Sequence, residues 1–284
     1  MVDFRSTELV MEEQELKKYL QEYKNGQKPW DVKNHVGLVK SMMHFIGSTD
    51  SELRDKLIYS TFFHLAIDNQ LEHELLSELL DYCLSDDMLF KGIGENGTDT
   101  VFTRAFSSLV IAVILYKDNK DDFLSRDAVY KTKDHLIHYI NTENDLRGFV
   151  PVKGWAHSIA HVADAFDELI LNKKMEQKDL FDMLPTLWEK ILVSDSVYVH
   201  GEDERMITPI LAMLEKGLDL VEIEHLLKGI PAELKRRKEQ IEEENYWFLE
   251  ANCKTFLKSF YVKISSREEL ISLRRDIELC LSEL

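Results

Sequence analysis

Two histidines and three carboxylates recur in GWAHSIAHVADAFDEL, residues 154–169. On a helix, 100° per residue gathers His157, His161, Asp164 and Glu168 into an arc of about 60°, with Trp155, Ile159, Val162, Phe166, Leu169 and Ile170 opposite. Imidazole changes charge near neutral pH, so the stripe could exchange protons with a substrate, His157 and His161 as acid and base and Asp164 as the carboxylate that orients them. The competing reading is a polar stripe facing water. Against it, the early turns carry imidazoles flanked by Ala156, Ala160 and Ala165 rather than the Lys and Glu of an ordinary exposed face, and small neighbours let another group come close.

Histidines at i and i+4 can also share one divalent metal ion, which makes His157 and His161 candidate ligands and a divalent metal a candidate cofactor. The residue after the first histidine is Ser158, so the general-base glutamate of the HExxH pattern is missing and a metalloprotease of that type does not fit. Asp164 stands about 10 Å along the axis from His157. It is better placed to orient His161 from behind than to complete a ligand set.

Other segments could contribute to the same pocket. Arg104 is a lone charge among Val101, Phe102, Ala105, Leu109, Val110, Ile111 and Val113, and a guanidinium buried there needs a carboxylate to meet it. It is either half of an internal ion pair or a clamp for an anionic ligand. Glu143, Asp145 and Arg147 crowd the approach to the histidine segment, as a local Asp–Arg turn or as part of a ligand site, with Asp145 and Arg147 the candidate binding residues. Farther on, YVHGEDERMITPI offers His200, Glu202, Asp203, Glu204 and Arg205 at a helix start. Acids in a first turn offset the helix dipole, which explains part of this cluster without a special role. Glu202 and Arg205 are candidate binding residues and Asp203 a candidate catalytic one. GIGENG at 92–97 fits GxGxxG in form, but it follows a helical segment rather than a strand, which argues against dinucleotide binding.

The elements that must position these groups are helical. Apolar residues recur at helical spacing nearly throughout, and only 5 prolines and 11 glycines interrupt 284 residues. The spacing predicts helices over 7–24, 31–46, 50–69, 72–85, 100–117, 126–141, 155–172, 176–193, 202–216, 219–228, 232–250 and 266–283. Thr49 with Glu52 reads as a capping box, and Gly148, Gly217 and Gly229 as caps at helix ends. Pro209 either opens a new helix or kinks the one that holds it. The 100–117 helix is apolar nearly all round and should be central. Taken in pairs, the helices repeat every 40–50 residues or so. The expected fold is all-α, antiparallel helical hairpins stacked as an α/α superhelix, either a HEAT- or armadillo-like solenoid or a partial α/α toroid. One continuous helical-repeat domain over 1–284 is expected, with a C-terminal subdomain 231–284, set off before Pro231, as the alternative.

A net charge of −17 opposes nucleic acid and anionic membranes as partners. Cys83, Cys253 and Cys280 form no CxxC pair and suggest a reducing cytoplasm. The N-terminal residues lack the pattern of a signal peptide, and the longest apolar run, LVIAVILY, is short for a membrane span.

FTRAFSSLVIAVIL, ENDLRGFVPVKGWAHSIAHVADAFDEL and GEDERM together resemble the bacterial family catalogued as domain of unknown function 2785, over about residues 30–220. The resemblance implies no activity; it binds these segments into one set. Val162 departs from it, since similar sequences tend to have glycine after the second histidine. The WAH turn is also similar to helix starts lining the cavity of ring-shaped α/α enzymes such as lanthionine cyclases, whose zinc ligands include cysteines that have no counterpart beside these histidines.

The residues leave open whether the chain is an enzyme. In one reading a polar pocket binds a small anionic ligand or supports hydrolysis, with His157, His161, Asp164 and Asp203 catalytic and Arg104, Asp145, Arg147, Trp155, Glu202 and Arg205 binding. In another, a non-enzymatic scaffold offers a concave acidic surface to a basic or helical protein partner. A third is a pH or metal sensor.

Overall fold

Apolar periodicity gives way to helix after helix in the computed structural model, which describes residues 2–284. Among them are twelve α-helices: α1 (Glu13–Lys24), α2 (His35–His44), α3 (Ser60–Ile67), α4 (His73–Cys83), α5 (Thr100–Asp121), α6 (Arg126–Thr142), α7 (Ser158–Leu171), α8 (Leu180–Ile191), α9 (Glu202–Glu215), α10 (Leu220–Lys238), α11 (Glu243–Ile264) and α12 (Ile271–Glu283). A small antiparallel hairpin, β1 (Phe149–Val150) and β2 (Gly154–Trp155), precedes α7. The protein is all-α apart from this hairpin. Two compact units divide the chain between Lys174 and Met175.

In the first unit α5 is the core helix. It is buried from Val101 through Leu115 and again at Lys117 and Asp118, and it packs against α3, α4 and α7. By length and composition α5 could cross a membrane, but 89% of its most apolar window is buried by the chain itself. α5 and α7 run parallel, because Phe106 meets His161 near one end while Asn119 meets Glu168 toward the other. α6 runs back beside them, which returns Glu143 to the start of α5.

Local chemistry explains several boundaries and corrects others. Ser125 caps α6 by accepting from the Ala128 amide at 3.1 Å. The turn before α3 is capped by Asp50, not Thr49: its carboxylate accepts from the Glu52 and Leu53 amides at 3.0 and 3.2 Å. From Glu52 to Tyr59 the chain forms a π-helix that leads directly into α3. Gly217 does follow α9 at a φ of +101°, but Gly229 lies inside α10 and Gly148 beside the hairpin. Helix α7 begins at Ser158 rather than near residue 155, because Trp155 pairs into β2 and His157 takes a left-handed φ of 51°.

In the second unit α9 and α10 pack on α11, and α12 on α10 and α11. Pro185, Pro209 and Pro231 all lie inside helices. α9 therefore continues through Pro209, and the chain turns at 239–242 instead of near Pro231. Buried Asn252 on α11 fixes the loop that leads into α9. Its amide donates to the Val193 and Ser196 carbonyls at 2.9 and 2.8 Å, and its oxygen accepts from the Tyr198 amide at 2.8 Å.

Candidate functional site

The first turns of α5 and the chain leaving α6 form a frame of paired charges. Arg104 is fully buried. Its Nε and Nη2 donate to the two Glu143 carboxylate oxygens at 2.6 and 2.9 Å, and Nη1 donates to the Lys91 carbonyl at 2.8 Å, the Gly92 carbonyl at 3.1 Å and the Thr100 hydroxyl at 2.9 Å. Burial works against the charge, but the Glu143 fork outweighs it and holds the guanidinium above its usual range. This is the internal ion pair weighed above. Glu143 also accepts from the Asp145 amide at 2.9 Å.

Asp145, likewise buried, accepts from Arg147 Nε at 2.8 Å, from Nη2 at 2.6 Å and from the Gly97 amide at 3.0 Å. Arg147 in turn donates to the Thr98 carbonyl at 2.6 Å. The GIGENG loop is thus occupied by its own chain, and Glu95 accepts from the Thr98 and Thr100 hydroxyls at 2.8 and 2.7 Å.

The frame holds the histidine turn through three bonds. The His157 amide donates to the Arg147 carbonyl at 3.0 Å, the Ala156 amide to the Gly148 carbonyl at 2.8 Å and the Ser158 hydroxyl to the Asp145 carbonyl at 2.5 Å. These bonds over-determine the left-handed conformation of His157 (φ 51°, ψ 40°), which costs a non-glycine residue free energy and persists only where the surroundings impose it.

A second buried arginine, Arg54, grips the hairpin from below. It donates to the Lys153 carbonyl at 2.8 Å, the Trp155 carbonyl at 3.1 Å and the Ser48 carbonyl at 2.6 Å. Its guanidinium lies over Phe102 and Phe106, 4.3 and 4.8 Å from the ring centres. Nε comes within 2.7 Å of Asp55, close enough for charge attraction but not aligned as a hydrogen bond. Burial lowers the pKa of Arg54 and raises that of Asp55. Gly154 has a φ of +80°, and a Cβ there would meet Ser51 Cβ at 2.6 Å and Arg54 Nη2 at 3.1 Å, so the close approach requires glycine.

What the frame presents is a stack of rings. Phe149 lies edge-on to Trp155 at 5.0 Å, Trp155 stacks on His157 at 4.4 Å with planes 24° apart, His157 meets His161 edge-on at 5.6 Å, and His161 meets Phe106 edge-on at 5.1 Å. The stack runs from half-exposed Phe149 and Trp155 down to buried His161 and Phe106. Asp164 follows on the next turn, half-buried. Among the described residues no group of three or more His, Cys, Asp or Glu could hold a metal ion.

Seven of the ten candidate residues, Arg104, Asp145, Arg147, Trp155, His157, His161 and Asp164, belong to the first unit. All of these except Asp164 are linked by the bonds and ring contacts above. Glu202, Asp203 and Arg205 belong to the second unit. There Glu202, buried at the start of α9, accepts from the His200 amide at 2.9 Å. Asp203 accepts from the Ser259 hydroxyl on α11 at 2.5 Å, and half-buried Arg205 donates its amide to the Gly201 carbonyl at 3.2 Å. The residue that sequence reasoning missed is Arg54. Unlike Arg104 it is no lone charge in sequence, because Glu52, Asp55 and Lys56 flank it, so its type and spacing did not mark it as buried.

Toward the far ends of α5 and α7 the polar groups are of another kind. Glu168 is half-buried and accepts from the Asn119 side-chain amide at 2.9 Å. Burial pushes its carboxyl up to about 7. Next to it Asp118, buried, accepts from Asn172 and Lys174, each at 2.7 Å.

No curated protein and no solved structure matches this chain. A family model described as Protein of unknown function (DUF2785) matches residues 89–262. The match begins and ends later than the expected 30–220, and it takes in every candidate residue from Arg104 to Arg205, while Arg54 falls outside it. Because it covers more than half of the chain, the protein belongs to the DUF2785 family.

Proposed function

We infer that the chain is a binding protein whose site is the Trp155–His157–His161 turn and whose ligand is a small anion. The observation that carries this reading is the strained His157, fixed by backbone bonds into a stack with a half-exposed indole on one side and a second imidazole on the other. The charged groups around it serve as scaffold: Arg104 and Arg147 are each forked to a carboxylate. Ligand recognition then falls to the imidazole N–H groups and the Trp155 face. The Arg54 guanidinium beneath the hairpin favours negative charge above it. The first unit, with α5 and α7 parallel and α6 returning between their ends, also supports reading it as stacked α/α hairpins.

The test is a titration of the ¹⁵N-histidine-labelled chain at about pH 6, near the ordinary imidazole pKa, with inorganic phosphate and with acetate. The imidazole signals of His157 and His161 are expected to move while those of His135, His138 and His225 stay in place. His157→Asn, which tolerates the left-handed backbone but lacks the ring, should abolish the response. Equal shifts at all the histidines, or none at His157 and His161, would overturn the reading.

A further inference from the structure

In the second unit, α8 and α10 leave an open groove of about 210 Å³ between them. Its floor is apolar, made of Leu184, Trp188 and Leu226, with Phe181 half exposed at its edge. Its rim carries Glu189 and Glu222. Glu189 is shared with Arg237 at 3.0 Å, whereas Glu222 forms no ion pair among the described residues. Pro185 has no amide hydrogen, so the Phe181 carbonyl lacks the helical donor that residue 185 would otherwise supply. A volume of this size takes one or two anchoring side chains rather than a drug-sized ligand, which needs about 300 Å³ or more. An apolar floor and a carboxylate rim together call for a partner with apolar anchors one helical turn apart and cationic donors beside them. The chain's charge of −17 favours the approach of the same partner.

We propose that the α8–α10 groove is a docking site for a basic amphipathic helix of a partner protein, its apolar face against Trp188 and Leu226 and its lysines or arginines against Glu222 and Glu189. A second copy of this acidic chain fits the rim poorly. The site is independent of the histidine turn, so it stands or falls separately from ligand binding there.

The experiment uses the full chain and a fluorescein-labelled helical peptide with leucines at i, i+3, i+4 and i+7 and lysines elsewhere, read by anisotropy and by the emission of Trp188 in a variant that lacks the other three tryptophans. Saturable binding with a change in Trp188 emission is expected. Glu222→Lys should weaken it at least tenfold and Leu226→Asp should abolish it. If Leu226→Asp perturbs the circular dichroism, Phe181→Ala, at a half-exposed position, takes its place with an expected weakening of about fivefold. A control, Glu243→Lys with Glu244→Lys, lowers the acidity of the same unit away from the groove and should leave binding within twofold. Equal weakening by control and groove variants, or binding without a change in Trp188, would mean that general acidity holds the peptide and would overturn the proposal. Concentration-dependent self-association lost in Leu226→Asp, with no peptide bound, would overturn it in favour of a contact between copies.

Discussion

Both ends of the parallel α5–α7 pair hold ion pairs, Asp118 with Lys174 at the far one, but one carboxylate at the far end, Glu168, is treated differently from those of the frame. At the end that holds the histidine turn, each arginine of the frame meets a carboxylate through two hydrogen bonds, and those carboxylates are occupied again by backbone amides. At the other end Glu168 has an amide for a partner rather than a cation, and desolvation raises its pKa into the neutral range. Forked pairs fix one geometry at every pH near neutrality, whereas a carboxylate paired with an amide makes its surroundings depend on pH. The Arg104 and Arg147 frame under the histidine turn is thus charge-balanced, and the α5–α7 carboxylate whose pKa burial lifts to about 7 lies at the opposite end, while Asp55 beside Arg54 is raised by burial as well.

The sharpest way to break this contrast is Arg104→Met. It leaves Glu143 buried without its fork, and losing one partner of a buried pair costs about 3–5 kcal/mol. The urea transition of the first unit should fall accordingly, and His157 should lose its separate imidazole signal. Glu168→Gln sharpens the contrast from the other side. The folded-state pKa of Glu168 is raised, so its protonated form stabilises the fold fully below the unfolded value of 4.5, and that contribution is lost as pH rises toward about 7. The variant should remove this decline and gain at most on the order of 3 kcal/mol at pH 8, with little change at pH 4; an unaltered pH profile would show that Glu168 ionises normally. The smallest effect is expected for Gly154→Ala, where a strained φ and the Ser51 contact cost about 1–3 kcal/mol. Its signature should be local, with faster amide exchange at Trp155 and Ala156 while Asn119 and Asn172 stay protected.

Much of this architecture is legible in the chain. The expected 126–141 and 202–216 helices agree with Arg126–Thr142 and Glu202–Glu215 to within a residue, because both have clear starts and an amphipathic period. Arg104 on an otherwise apolar helix announces a buried pair, and Asp145 and Arg147 are close enough in sequence to find each other. The hairpin is not legible, since strands of two residues carry no alternation to read. Without it, Trp155 and His157 are counted as helical when they form the turn that precedes the helix. Arg54 was hidden for a different reason: what satisfies it are carbonyl groups and ring faces from segments distant in the chain, and backbone acceptors leave no mark on composition. The seam between Lys174 and Met175 has neither proline nor glycine in LNKKMEQ to announce it.

The reach of Arg54 has a further consequence. It clasps carbonyls 99 and 101 positions along the chain, so holding the ribbon above it requires the closure of a long loop. A two-stranded ribbon is barely stable alone. Protein trimmed to the shared family segment, 89–262, would discard that clasp and leave the indole and imidazole rings on a loosened ribbon.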